Sequence, residues 1–316
     1  MADSEIVFDG QIGAPATLGA MLLRMLEAHE AWLAGRPEGL RAHLSGMALA
    51  GANLEDARLE RAELHAVNCH EAQMSRANLC QAGLQSANLT NATMFGVDLS
   101  EADLSDATLT AALLSTANMT EARLYKTTLR EANLREVRML EANMQECDFT
   151  AAVLRDADLH HSKAFDCTFT DAVLMGAKLY HVNFRYCRLV RASAAGTEWS
   201  TATLQNCNCR EADFTSARFD GADLRQSSFC HANLNSASFQ QARLHGVNME
   251  GADLSWARFD EASTQATYFC GANLRGARGL TQTQLAQART DSKTILPNGS
   301  HGPYMLGTGA HRPGRL

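Results

Sequence analysis

From Leu44 to Leu274, every fifth residue of this chain belongs to one series of 47 positions, and 42 of them are Leu, Met, Phe or Trp. The exceptions are Cys69, Ala164, Ala194, Cys209 and Thr264. A second series sits two residues earlier, from Ala42 to Ala272. It holds 32 Ala, and otherwise Val, Cys, Ser or Thr, with Met47 the single larger side chain. No insertion breaks either series.

A period of five matches neither a helix nor a plain strand, yet it can be read physically. Residues two apart in an extended chain point the same way. The small and the large residue of each unit therefore face inward together, and the residue between them faces out. The remaining two must turn a corner before the next inward pair arrives. A chain that turns every five residues winds into a solenoid around a narrow core. Composition agrees: 46% of the residues are hydrophobic but only 6% aromatic, so the apolar content is mostly Ala and Leu.

Surface charges set the length of one coil. Arg138, Asp158, Lys178, Glu198 and Arg218 lie 20 apart and alternate in sign, as do Asp171, Arg191 and Glu211. Opposite charges on neighbouring strands are favourable, so 20 residues, or four units of five, make one turn. Columns of inward residues keep the same period. Cys147, Cys167, Cys187 and Cys207 share one column with Ser227, Val247 and Thr267, and Trp199, Phe219, Phe239 and Phe259 form an aromatic one.

Units such as "ANLED", "ADLSD", "ANLRE", "ADFTS", "ADLRQ" and "ADLSW" resemble the A(D/N)LXX consensus of the pentapeptide-repeat family over about residues 40–278. The resemblance implies an all-β fold, a right-handed four-sided parallel β-helix of about 12 coils. The expected organisation is an N-terminal segment with a capping helix (1–37), the β-helix (38–280), a C-terminal capping helix (281–297) and a flexible tail (298–316). At the N-terminus Leu18, Met21, Leu22, Met25, Leu26, His29, Trp32 and Leu33 follow helical spacing, with Thr17 as N-cap and Gly35 and Pro37 as the stop. Such a helix docks on the first coil or, alternatively, pairs two copies of the chain. At the other end a helix is expected around Thr281–Arg289.

The net charge of −7 and pI near 5.9 argue against a basic nucleic-acid groove. The opening "MADSEIVFDG" has neither the basic nor the apolar region of a secretory signal, and no membrane span is visible. The nine cysteines are accordingly read as reduced, in a cytoplasmic setting.

One segment looks like a zinc module: Cys147 and Cys167 bracket His160 and His161. The register separates them, because the cysteines take inward slots and the histidines outward corners. A narrower metal reading survives on the outside. Glu101, Glu121, Glu141, His161 and His181 stack at successive coils, and Glu141, His161 and His181 could hold a divalent cation there. The plainer reading is exposed side chains splayed apart, so no metal and no cofactor is expected. No catalytic motif is present, and the chain is read as no enzyme.

Two surfaces are candidates for binding a protein partner. One is a low-charge face with Leu113, Val153, Val173 and Met175. The other, on the adjacent face, gathers Tyr125, Phe165, Arg185 and Tyr186. The leading functional reading is a non-catalytic scaffold or interaction rod. The resemblance implies an alternative, a DNA-mimicking inhibitor or protector of DNA gyrase, whose acidic-face candidates are Asp98, Glu101, Glu121 and Glu141. A third reading, as accessory or cargo of a bacterial secretion system, rests on the similarity of "AHEAWLAGRPEGLRAHLSGMALAGANL" to repeat proteins found beside such machinery.

Overall fold

The computed structural model describes residues 15–313, with side chains from residue 19 onward. The five-residue units build a parallel β-solenoid with four sides per 20-residue coil. The outward residue of each unit pairs in parallel with the residue 20 further on, from His43↔Glu63 to Arg258↔Arg278, which spans nearly twelve coils.

Each consensus letter has a structural job. The large residues are buried, most of them completely, and the Ala positions pack beside them. Burying each Leu or Phe contributes about 1.5–3 kcal/mol. The outward Asn or Asp turns its Oδ1 back to the corner. Asn53 accepts from the Glu55 N–H at 3.0 Å, and Asn78 and Asp103 do the same for Cys80 and Ser105. This is why short side-chain acceptors recur there. Most corners then close by a hydrogen bond from the small residue to the large one three before it, as Ala52 N–H to Leu49 C=O (3.0 Å). The second corner residue sits in the left-handed region even where it carries a side chain, with φ between +53° and +63°. Each such residue costs about 1–2 kcal/mol. Ladder hydrogen bonds to the neighbouring coils offset it, for instance Glu101 N–H to Thr120 C=O (2.8 Å).

On the side bearing Leu124, five successive corners open instead. After Leu124, Met144, Ala164, Phe184 and Leu204 the corner hydrogen bond is not made. There the strands lengthen to three residues: β1 (Arg123–Tyr125), β2 (Asn143–Gln145), β3 (Lys163–Phe165), β4 (Asn183–Arg185) and β5 (Thr203–Gln205). They form one parallel sheet in strict order and register.

The small slots after these strands hold Thr127, Cys147, Cys167, Cys187 and Cys207, and most of their side chains donate to main-chain carbonyls of the preceding coil. Thr127 Oγ1 donates to Leu104 C=O at 2.8 Å, Cys147 Sγ to Leu124 C=O at 2.7 Å and Cys187 Sγ to Ala164 C=O at 3.5 Å. Ser227 closes the series: its hydroxyl donates to Leu204 C=O and accepts from Cys207 N–H (2.9 Å). The cysteine column is therefore a column of donors as well as part of the core. Alanine could not replace it without losing those bonds.

Both ends are covered. The N-terminal helix α1 spans Pro15–Leu33, so Thr17, expected to cap it, lies inside it. Leu22 is buried, and Met25 and Leu26 pack against the first coil, so this face caps the solenoid. His29, fully buried, makes the joint: Nδ1 accepts from Ala42 N–H and Nε2–H donates to Glu60 C=O, both at 3.1 Å. It satisfies one donor and one acceptor of the exposed strand edge that the solenoid otherwise leaves open. Gly35, at φ +69°, ends the helix.

At the C-terminus helix α2 (Gln282–Gln287) is shorter than expected and is held by a capping box between Thr281 and Gln284. The segment after it continues the ladder, pairing Tyr268↔Arg289 and Asn273↔Ile295. The expectation of a flexible tail from 298 needs correction for its described part. Ile295 pairs antiparallel with His301, Asn298 N–H donates to Ala310 C=O, and Ala310 is buried. The final coil would otherwise present a bare edge at Ile295, and the folded-back chain covers it. Among the described residues no helix is long and apolar enough to cross a membrane.

Candidate partner-binding surface

The sheet β1–β5 brings together the second set of sequence candidates. Register places Tyr125, Gln145, Phe165, Arg185 and Gln205 in one outward column. Strand spacing puts Tyr125 and Phe165 about 9.5 Å apart. Tyr186, at the adjoining corner, meets Phe165 edge to face with ring centroids 5.4 Å apart. Phe165 is 47% exposed and Tyr186 54%, values that set them apart on a surface where large apolar side chains are mostly buried. Lys126 stands over the Tyr125 ring at 5.0 Å. Arg185 is exposed, and its Nε–H donates to Asn183 Oδ1 at 3.1 Å, which holds the guanidinium on the sheet.

The low-charge face is less available than its composition suggested. Leu113, Val153, Val173 and Met175 are all half-buried. Val153 and Val173 pair in successive coils, and Arg155 Nη2 reaches Met175 Sδ at 3.5 Å. Side chains stacked in a column shield one another, a consequence of the ladder that a list of outward residues does not show. Phe95, 42% exposed, and Trp256, 40% exposed at the adjoining corner, are large apolar groups that project from this side, and sequence reasoning missed both.

The Glu–His column does not converge. The His161 and His181 rings stack in parallel at 5.1 Å with an interplanar angle of 3°, so their nitrogens point alongside one another. Thr201 Oγ1 lies 2.7 Å from His181 Nδ1. His160 stacks on Tyr180 at 4.9 Å and shares a 2.5 Å hydrogen bond with Asp158. Among the described residues no group of three His, Cys, Asp or Glu is placed to hold a metal ion. The alternating charge column forms in part. Arg218 reaches Glu198 at 3.3 Å and Arg191 holds Asp171 through two bonds of 2.8 and 2.7 Å, whereas Asp158 is taken by His160. The Arg191 hydrogen bonds hold the Asp171 carboxyl below its ordinary range.

The acidic candidates make a short array. Glu101, Glu121 and Glu141 are exposed in one column, with Gln81 before them and His161 after. Glu101 accepts from Gln81 Nε2 (2.8 Å), and the half-buried Asp98 accepts from Ser100 and Asn118. The run is three carboxylates long. Where Gly83 interrupts its column, a notch of about 380 Å³ opens among Glu63, His65, Gln85, Asp103 and Arg123.

Burial pushes Cys69 up to about 12, and contact with the Cys167 thiol followed by burial raises Cys147 and Cys187 as well. Cys69, Cys147 and Cys187 therefore stay protonated and are poor nucleophiles.

A parallel β-solenoid with a five-residue repeat, closed at both ends and carrying an exposed aromatic sheet face, defines the class. The chain belongs to the pentapeptide-repeat family. Its sequence matches the pentapeptide repeats (8 copies) family over residues 42–79, 62–100, 72–110, 98–135, 141–171, 152–191 and 183–221, and the pentapeptide repeat region family over 212–289. Among solved structures it is similar to HetL, a pentapeptide-repeat protein involved in heterocyst differentiation regulation from the cyanobacterium Nostoc sp. strain PCC 7120. The two share 24% identity over 86% of this chain and 97% of that one, with a TM-score of 0.25. It is also similar to Rfr23 from the cyanobacterium Cyanothece 51142 (22% identity, 39% and 89% covered, TM-score 0.28). The plasmid-mediated fluoroquinolone resistance protein QnrB1 matches at 20% identity, with 50% and 81% covered and a TM-score of 0.21. No curated protein matches the sequence at a significant level.

Proposed function

We propose that this protein is a non-catalytic interaction rod that binds a protein partner through the β1–β5 face. The observation that carries the reading is the cluster of Phe165, Tyr186 and Tyr125, exposed together where the solenoid's strands lengthen. Exposed aromatic and Arg side chains are the usual anchors of protein interfaces. The rigid ladder holds them in place before binding, so little ordering entropy is lost on association. A gyrase-directed role asks for a coherent negative surface, and a run of three carboxylates supplies little of it.

The test is affinity capture from the native host with wild-type protein and a Phe165→Ala/Tyr186→Ala variant. Loss of about tenfold or more in binding of a specific co-purifying protein is expected. Equal capture by both proteins would defeat the reading, and inhibition of gyrase supercoiling by the purified rod would replace it with the DNA-mimic reading.

A further inference from the structure

The rod carries a net charge of −7, yet the outward side chains of its five extended strands carry no acid. They are Arg123, Lys163 and Arg185 together with amides, Thr203 and the aromatic rings of Tyr125 and Phe165. Elsewhere on the same side the equivalent outward positions include Glu63, Asp103 and Asp223. The three cations are exposed, and none of them makes an ion pair among the described residues. By contrast Arg76, Arg191 and Arg225 are each neutralised by a nearby carboxylate at 2.6–2.8 Å. A cationic, aromatic island on an acidic rod is thus confined to the segment where the corners open.

We propose that the β1–β5 face recognises an acidic protein segment, whose carboxylates pair with Arg123, Lys163 and Arg185 while an apolar side chain seats against Phe165 and Tyr186. This rests on the interaction-rod reading above and names the chemistry of its partner. The occupant's charge follows from complementarity, since unpaired surface cations steer and select anionic partners. The rims decide between a peptide and a nucleic acid. Exposed Glu146 and Asp166 flank the sheet at one corner, and Glu121 and Glu141 at the other. A continuous phosphate backbone lying on the face would run against these carboxylates, whereas a peptide can place acids only over the three cations. Recognition is by side chains, because the ladder already uses the backbone groups of the strands.

Fluorescence anisotropy with a labelled oligo-Glu peptide, an oligo-Lys peptide and oligo-dT tests this, beside capture of the native partner. The proteins are wild type, Arg123→Gln/Lys163→Gln/Arg185→Gln and Phe165→Ala. The expected result is oligo-Glu binding that weakens at least tenfold in the triple variant and falls with added salt, no oligo-Lys binding, and parallel loss of the native partner. Phe165-dependent capture that survives the triple variant, with no oligo-Glu binding, would overturn the acidic-segment inference and leave the interaction rod standing. Capture independent of Phe165 would overturn both. Oligo-dT binding tighter than oligo-Glu would assign the face to single-stranded nucleic acid instead. Unchanged thermal unfolding of the variants keeps each loss attributable to the surface.

Discussion

Two stretches of the same side of the solenoid, coils before Arg123 and coils from Arg123 to Gln205, share register, period and burial, yet they differ at every level above the repeat. In the first, Ala87 and Ala107 close their corners onto Leu84 and Leu104 at 3.0 Å. In the second the corners stay open, the strands lengthen, and Thr and Cys replace Ala in the small slot. The outward residues change with them, from Glu63, Gly83 and Asp103 to cations, amides and aromatic rings. The lesson is that the repeat fixes the rod, while a local change of turn geometry sets apart one flat area on which a binding surface can be built. Function in such a fold sits in the departures from the repeat.

The largest expected effect probes the core beneath that area. Phe169 is fully buried, stacked on Phe149 at 4.7 Å and on Phe184 at 5.4 Å. Phe169→Ala should cost about 3–5 kcal/mol, measured by denaturant unfolding. Leu99→Ala in the leucine-filled earlier coils should cost about 2–5 kcal/mol. A distinctly smaller loss for Phe169 would mean that the aromatic stretch is loosely packed.

Next come the polar devices. Ser227→Ala strips a donor from Leu204 C=O and an acceptor from Cys207 N–H, and should cost about 1–3 kcal/mol. Cys187→Ala should cost less, since a thiol is a weak donor. Equal losses would say that the column matters only by volume.

The N-terminal joint gives a pH signature. Burial lowers the pKa of His29, opposed by its hydrogen bond to Glu60 C=O. The unfolded chain then binds a proton that the docked, neutral imidazole refuses. The joint's contribution is complete above about pH 6.5 and is lost as pH falls below that value toward the lowered folded pKa. Hydrogen exchange at the first coil should rise in acid for the wild type. A His29→Gln variant, free of that titration, should show no such rise between pH 7 and 5.

The smallest effect is chemical. Cys80, Cys230 and Cys270 are partly exposed and the other six cysteines are buried. A thiol reagent should therefore react quickly with no more than those three in the native protein and with all nine after unfolding.

Much of this was legible in the sequence because the cause is local. The five-residue period dictates inward and outward positions, so Leu44 to Leu274 could be placed in the core and Cys147 separated from His160 by register alone. The coil length followed from repeated charges, although Asp158 turned out to bind His160 in place of Lys178. What stayed hidden depends on geometry that the period does not encode. Whether a corner closes or opens, whether Val153 is shielded by Val173, and how the chain after Asn298 folds back are settled by contacts between coils. The aromatic cluster was readable as Tyr125, Phe165, Arg185 and Tyr186. That it sits on widened strands with open corners was not.

The central claim is that the widened sheet, and not the low-charge side, is where a partner binds. The most direct measurement compares the affinity of the co-purified partner for Phe165→Ala/Tyr186→Ala and for Val153→Ser/Val173→Ser, each with unchanged thermal unfolding. At least a tenfold loss in the first pair, with the second near wild type, is the predicted result. Full affinity in the first pair, or the loss falling on the second, would contradict it.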